Sequence, residues 1–241
     1  MMVQGLAHRG YPKKYPENTL RSFQAGLDLG FSHLELDVHL SKDGVPVVIH
    51  DPTLQRTIHA SGYVSDFTLE ELKQFRCKGL DGTPGEDTIP TLEEVLLLAR
   101  GKAHVDVELK SAGSDYPGLE EAVLDVIRKC EVRDEVFVAS FDHYSIIRMR
   151  ELDSSMALGL VIYGATPSVF PLMEQLQAKY LSVKYIYLTD DFVRECRERE
   201  IQLIAWTVDS EQAMKQMRSR YPDVWICTNE LERWKNAFAE A

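Results

Sequence analysis

Several features are scarce in this chain, and each scarcity closes off a class of protein. There are only four cysteines in 241 residues, Cys77, Cys130, Cys196 and Cys227, with no C-x-x-C pair among them. That spacing suits free thiols in a reducing compartment and excludes a disulfide scaffold. No apolar run approaches the roughly 20 residues that span a bilayer. The opening, MMVQGLAHRG, has no charged segment followed by an apolar core, so no secretory leader is expected. Positive charge is in deficit, with 27 Lys and Arg against 38 Asp and Glu and a net charge of −11. This argues against nucleic acid as a partner but leaves room for a phosphate substrate, because local cations or a metal reverse the field inside a pocket. A glycine-rich phosphate turn after the first strand is missing, as are internal repeats and low-complexity tracts. The expectation is a cytoplasmic protein without stable membrane insertion, its oligomeric state left open.

What is present is ordinary in bulk, 44% hydrophobic and 27% charged, and long enough to form one domain over residues 1–241. Short β-rich runs stand at 3–7, 33–38, 104–109, 135–139, 157–162, 180–183, 202–208 and 224–227. Segments with apolar spacing of three and four lie between them, at 19–29, 91–100, 119–130, 144–152, 169–179, 190–200, 210–220 and 231–239. Thr91 with Glu94 forms a capping box, Asp190 and Ser210 suit N-caps, and Gly30 and Gly101 suit helix stops. Eight strand-then-helix units predict an α/β fold of the (β/α)8 TIM-barrel type, with a doubly wound open sheet as the competitor. Residues 52–89 break the rhythm with many turn residues and one short helix at 68–75. They read as a small insertion after the second strand, capping the catalytic face of the barrel.

The densest chemistry lies at 34–51, LELDVHLSKDGVPVVIHD. Glu35 and Asp37 share one face of an extended strand. Lys42-Asp43-Gly44 turns the chain back, which sets His50 roughly opposite Asp37. In the strand at 104–109, Asp106, Glu108 and Lys110 fall on one face, and the positions nearest its C-terminal end, Glu108 and Lys110, are the functional candidates. Glu35, Asp37 and Glu108 supply three hard oxygens. These suit Mg2+ or Ca2+, with Mn2+ a third option, and fit zinc poorly because no Cys or His completes the set.

The first strand closes on His8-Arg9-Gly10. His8 titrates near neutrality, Arg9 offers a planar fork to phosphate, and Gly10 permits close backbone approach. Glu17 and Asn18 are read as lining the pocket floor, with Asn18 also suited to N-cap the first helix. Phe141 and Trp206 end strands and form either a wall for an alcohol group or ordinary core. His33, His39, His59, His104 and His143 are assigned to structure or surface.

Taken in order, HRG, PENT, ELDVHLSKDGVPVVIHD, IPTLEEVL, VELK, SF and WTVD make the chain resemble the glycerophosphodiester phosphodiesterases nearly end to end. The resemblance implies a (β/α)8 barrel with a small insertion, and an acid/base pair of His8 and His50. It also implies a divalent metal on Glu35, Asp37 and Glu108, and phosphate contacts from Arg9 and Lys110. The activity it implies is hydrolysis of small glycerophosphodiesters to glycerol 3-phosphate and an alcohol, a step in glycerol and lipid metabolism, with lysophospholipids accepted by some relatives. Two departures stand out. Thr228-Asn229-Glu230-Leu231 replaces a Thr-Asp-x-Pro segment, and Ile58-His59 replaces Thr-Asn. Neither is expected to touch the metal or histidine positions.

Overall fold

The structure, a computed structural model, describes residues 5–111 and 116–238. Eight parallel strands close a barrel: β1 (Gly5–His8), β2 (His33–Leu40), β4 (His104–Leu109), β5 (Val136–Ser140), β6 (Leu158–Ile162), β7 (Tyr180–Lys184), β8 (Gln202–Trp206) and β9 (Trp225–Thr228). Pairing of β1 with both β2 and β9 completes the ring. The open-sheet alternative therefore falls. A further strand, β3 (Pro46–Val48), pairs antiparallel with the upper end of β2 and stands on the rim. Helices α1 (Leu20–Asp28), α3 (Leu92–Ala99), α4 (Leu119–Cys130), α5 (His143–Leu152), α6 (Phe170–Leu176), α7 (Asp190–Glu198), α8 (Glu211–Arg220) and α9 (Leu231–Phe238) form the outer layer.

The local physics is plain in α4. Leu119, Val123, Leu124, Ile127 and Cys130 are buried on one stripe, Glu120 and Glu121 sit in the first turn, and Arg128 and Lys129 sit in the last. Each charge complements the helix dipole at its end. Two details of the sequence reading change. The N-cap of α7 is Thr189, whose hydroxyl accepts from Phe192 N, so Asp190 is the first helical residue and binds Arg220 and Tyr221 instead. The helix expected at 169–179 opens as a 3-10 turn at Pro167–Val169 and stops at Leu176, because Gln177 is left-handed at φ 49°. Residues 3, 4 and 239 of the expected elements lie outside the described residues.

The excursion after β3 returns beside its start: Val48 N–H donates to Pro90 O at 2.8 Å. It carries one short helix, α2 (Leu69–Leu72), tighter than the 68–75 expected. Val47, Ile49, Leu54, Ile58, Val64, Leu72, Cys77 and Ile89 give it a core of its own.

Inside the barrel, alternate residues of each strand point inward, and the interior divides by polarity. Leu6, Phe137, Ala139, Val161, Ile204 and Cys227 make an apolar half. Glu35, Asp37, Asp106, Glu108 and Lys110, all on β2 and β4 or just past them, make a charged half. The N-terminal end is plugged by rings: His33 stacks on His104 at 5.4 Å and meets Trp225 at 4.4 Å.

Burial, and next the neighbouring His104, push His33 down from 6.5 to about 4. Between those values the folded chain binds fewer protons here than the unfolded chain. The stability from the neutral ring is therefore whole above pH 6.5 and drains as pH falls toward 4. With partial solvent screening allowed for, the loss should reach about 2 kcal/mol. Denaturant unfolding of wild type and His33→Phe across this range should show the wild type losing ground to the variant with acidity. A stability difference that does not change with pH would refute this.

Candidate active site

Strand register assembles the charged groups. His8 pairs in register with Glu35, and Glu35 in turn with Asp106. One level nearer the mouth, Asp37 pairs with Glu108. Carboxylate oxygens of Glu35, Asp37 and Glu108 come within 4.8 Å of one another. Asp106 lies one level deeper and does not join that trio.

Two cations hold the acids. Arg9 Nε lies 3.1 Å from Asp37 Oδ2, and Lys110 Nζ lies 3.1 Å from Asp37 Oδ1 and 2.5 Å from Glu108 Oε1. Burial alone would raise Asp37, but Arg9 and Lys110 overcome it and hold that carboxyl well below the usual range. Glu35 is driven up by burial and then by the Asp37 charge, and Asp106 by burial and then Glu108. Burial also raises Glu108, although Lys110 opposes it.

Backbone strain aims these groups. Arg9 and Asn18 sit at φ 57° and 58°, left-handed positions that are unfavourable for side chains with a Cβ. Gly10, at φ 81°, lies so close to α1 that a Cβ would meet the Ser22 carbonyl carbon at 2.5 Å. Asn18 does not cap α1; Thr19 does, accepting from Ser22 N. Nor do Glu17 and Asn18 line the cavity. Asn18 Nδ2 donates to Asp37 Oδ2 at 2.8 Å, and Glu17 is held by Arg9 at 3.0 Å and by Arg56 at 2.8 Å. Both stand behind the site because their polar ends are engaged there.

The two histidines have different backing. His8 Nδ1 lies 2.8 Å from Asn229 Oδ1. Asn229 Nδ2 donates to Asp209 Oδ2 at 2.8 Å, which turns the amide oxygen toward His8. The network therefore assigns the proton to His8 Nδ1 and leaves a lone pair on Nε2. Burial, and then Arg9, push His8 down to about 4. Asn229 belongs to the segment expected to stay clear of the histidines, so that reading is corrected. The contact spans 221 positions in sequence and is made by barrel closure. The other departure behaves as expected: Ile58 is core of the excursion and His59 bonds Gly82 O.

His50 Nδ1 donates to Asp51 Oδ1 at 2.6 Å. Arg56, from the excursion, locks Asp51 and holds its carboxyl down at about 2. His39, assigned to structure, donates from Nε2 to His50 O at 2.9 Å and so fixes the backbone there. His50 is not directly opposite Asp37. The backbone carbonyl of Asp37 receives Ile49 N–H at 3.0 Å, and His50 comes one residue later, because β3 ends at Val48 and the chain turns. Burial lowers His50, with Asp37 opposing.

His8, Arg9, Glu35, His50, Glu108, Lys110, Phe141 and Trp206 all border one cavity of about 130 Å³ at the strand C-termini. Trp206 meets Phe141 edge-on at 5.6 Å and Tyr163 at 6.0 Å. Lys184 Nζ bonds Tyr163 OH at 2.6 Å. Phe141, Tyr163 and Tyr187, the last packed on Tyr163 at 5.5 Å, are exposed on this side. A larger open cleft of about 1060 Å³, between α8 and the turn after β7, gathers no buried charge and lies away from this chemistry.

The residues fit a hard divalent ion. Among the described residues Glu35 is 4% exposed, and its Oε1 has no hydrogen-bond partner. Together with Asp37, Asp106 and Glu108 it makes four acids facing the two cations Arg9 and Lys110, a formal excess of two negative charges that a divalent cation balances.

A closed parallel barrel with these groups gathered at the strand C-termini has the layout of a TIM-barrel enzyme. The chain belongs to the Glycerophosphoryl diester phosphodiesterase family, whose pattern it matches over residues 8–233. It is 36% identical over 215 residues to a glycerophosphodiester phosphodiesterase of Caldanaerobacter subterraneus, covering 88% of each chain. To one of Bacillus altitudinis it is 35% identical over 221 residues, covering 90% of each. Its structure resembles an Oleispira antarctica phosphodiesterase in complex with the product sn-glycerol-3-phosphate, at a TM-score of 0.89 and 25% identity, covering 99% of this chain and 98% of that one.

If Asn229 fixes the His8 tautomer, Asn229→Leu should lower kcat by about 10- to 100-fold, the usual worth of a group that orients a reactive imidazole. KM should hardly move. Steady-state kinetics on the folded variant decides, and an unchanged kcat would remove Asn229 from this role.

Proposed function

We propose that this chain hydrolyses glycerophosphodiesters to glycerol 3-phosphate and an alcohol, with His8 and His50 as the acid/base pair. The observation that carries the reading is that both imidazoles border one cavity with Arg9, Lys110, Glu35 and Glu108. Arg9 and Lys110 bind and orient the phosphate. Glu35, Asp37 and Glu108 are the residues that hold a divalent metal, Mg2+ or Ca2+ with Mn2+ a third option. Bound there, that ion supplies Lewis-acid stabilisation of the non-bridging phosphate oxygens.

The backing of each histidine divides the roles. His8 keeps a neutral ring with its Nε2 lone pair free, and a neutral amide lies behind it. It takes the proton from the attacking oxygen. His50 is backed by the Asp51 carboxylate, which stabilises an imidazolium. It delivers a proton to the departing alkoxide. Phe141, Trp206 and Tyr163 wall the side where the alcohol sits. Arg56 joins Asp51 to Glu17, so the excursion positions His50 as well as shaping the entrance. The whole chain serves as one barrel domain with the excursion as its cap.

One observation favours a second reading of the substrate. The exposed aromatic rim formed by Phe141, Tyr163 and Tyr187 beside Trp206 suits an alcohol with a long apolar tail, as in a lysophospholipid. A panel of head groups, from glycerol and ethanolamine to lysophospholipid, separates the two by kcat/KM.

His8→Ala and His50→Ala should each lower turnover by roughly 10²- to 10⁴-fold. The two should differ on a substrate with a nitrophenol leaving group, which departs without a proton. The His50→Ala defect should shrink there and the His8→Ala defect should persist. Equal defects on both substrates would refute the division of roles.

Chelation should abolish release of glycerol 3-phosphate, and Mg2+, Ca2+ or Mn2+ should restore it. Glu35→Gln, Asp37→Asn and Glu108→Gln should each weaken metal binding by calorimetry. Full activity after exhaustive chelation would overturn the metal assignment.

A further inference from the structure

Zinc fits the oxygen trio poorly because that trio lacks sulfur and imidazole, but the folded chain brings both to Glu35. His8, Glu35 and Cys227 each offer one donor atom within 4.8 Å of the other two. Cys227 pairs in register with Leu6, two residues before His8, and it borders the same cavity as His8 and Glu35. His8 contributes Nε2, since Nδ1 is engaged with Asn229, and this Nε2 lies 3.8 Å from Glu35 Oε2. The buried Glu35 Oε1 has no hydrogen-bond partner, the mark of a group awaiting a ligand.

We propose that His8, Glu35 and Cys227 form a second metal position that takes a borderline-soft divalent ion such as Zn2+ and shares Glu35 with the hard-oxygen trio. Imidazole nitrogen, thiolate sulfur and carboxylate oxygen are the donors zinc and cobalt prefer, and magnesium and calcium do not take sulfur. Three protein ligands leave a fourth tetrahedral place for water or a substrate oxygen. On binding, the Cys227 S–H bond breaks, a metal–sulfur bond forms and the proton passes to solvent. No oxidant or reductant takes part. The ion also occupies the His8 Nε2 lone pair. Soft and hard ions then compete for Glu35, and a soft ion removes the group proposed as base. Only this inhibitory consequence rests on the proposed acid/base roles; the site itself rests on its geometry.

Co2+ is the probe, because a thiolate ligand gives it a charge-transfer absorption that oxygen ligands do not. Titrating metal-free protein with Co2+ should produce this band, saturating at one ion per chain, and added Zn2+ should abolish it. Cys227→Ser should lose the band and weaken Zn2+ binding at least as much as loss of an orienting group does, about 10- to 100-fold. Cys227→Ala, checked for folding by circular dichroism, is the second variant. Cobalt binding to wild type without a sulfur band overturns the proposal. A band that survives in both variants does so too, and assigns the sulfur to Cys77, Cys130 or Cys196. The readout is optical, so failure of the site is distinguishable from failure of the proposed reaction, which is followed by glycerol 3-phosphate release with Mg2+.

Discussion

Four carboxylates buried inside one barrel govern the rest of this molecule. Glu35, Asp37 and Asp106 are nearly inaccessible, and Glu108, level with Asp37, is half-buried. Several unpaired charges in a low-dielectric interior would each cost several kcal/mol. Arg9 and Lys110 relieve only part of this, and the shifts show how. Asp37, touched by both cations, stays ionised, while Glu35 and Asp106 are driven toward the protonated form. The cluster thus has an unmet demand for positive charge, which protons or a divalent ion meet. The strained backbone at Arg9 and Asn18 follows from the same demand: the chain bends unfavourably to bring a guanidinium and an amide onto Asp37.

The polarity split of the barrel interior belongs to the same logic. Charged inward positions cluster on β2 and β4, and apolar ones on β5, β6, β8 and β9. Keeping the charges together lets each acid reach a cation. The apolar half lowers the local dielectric, so every electrostatic contact across the cavity is stronger than it would be in water. Carried upward to the strand ends and just past them, that half becomes Phe141, Tyr163 and Trp206, whose rings meet at 5.6 and 6.0 Å.

Much of this was legible in sequence. A period of two placed Glu35 with Asp37 and Glu108 with Lys110, and eight strand-then-helix units specified the barrel. Misses came from two sources. One was stopping the period-two count at the strand end: Asn229 is two past Cys227 and Tyr163 two past Val161, so continuing the count would have found both. The other was contacts that no local pattern encodes. Arg56 reaches Glu17 across 39 positions, and Asp209 backs Asn229 through an amide whose orientation depends on the folded network. Glu17 and Asn18 were placed on the right side of the barrel but one layer too near the cavity. Their partners, Arg9, Arg56 and Asp37, are visible only in three dimensions. The nearness of Cys227 to Glu35 was hidden for the same reason: the two are far apart in sequence and close together in the barrel.

The position of His8 ties the state of its ring to completion of the fold. His8 ends the first strand, and its partner Asn229 follows the last, so the bond between them forms only when β1 closes on β9. Asp209, behind Asn229, comes from the loop after β8, which brings a third segment into the same contact. His50 depends on a different set: β3, Asp51 and the excursion's Arg56. One imidazole therefore reports barrel closure and the other reports docking of the excursion. The acids of β2 and β4 need only that one strand pair to stand in register, whereas the His8 tautomer needs β1 beside β9. In the folded chain β2 with β4 makes the most extensive parallel ladder, while β1 with β9 joins the first strand to the last. The charged cluster is thus set by the pairing of β2 with β4, and the tautomer of His8 by closure of the whole.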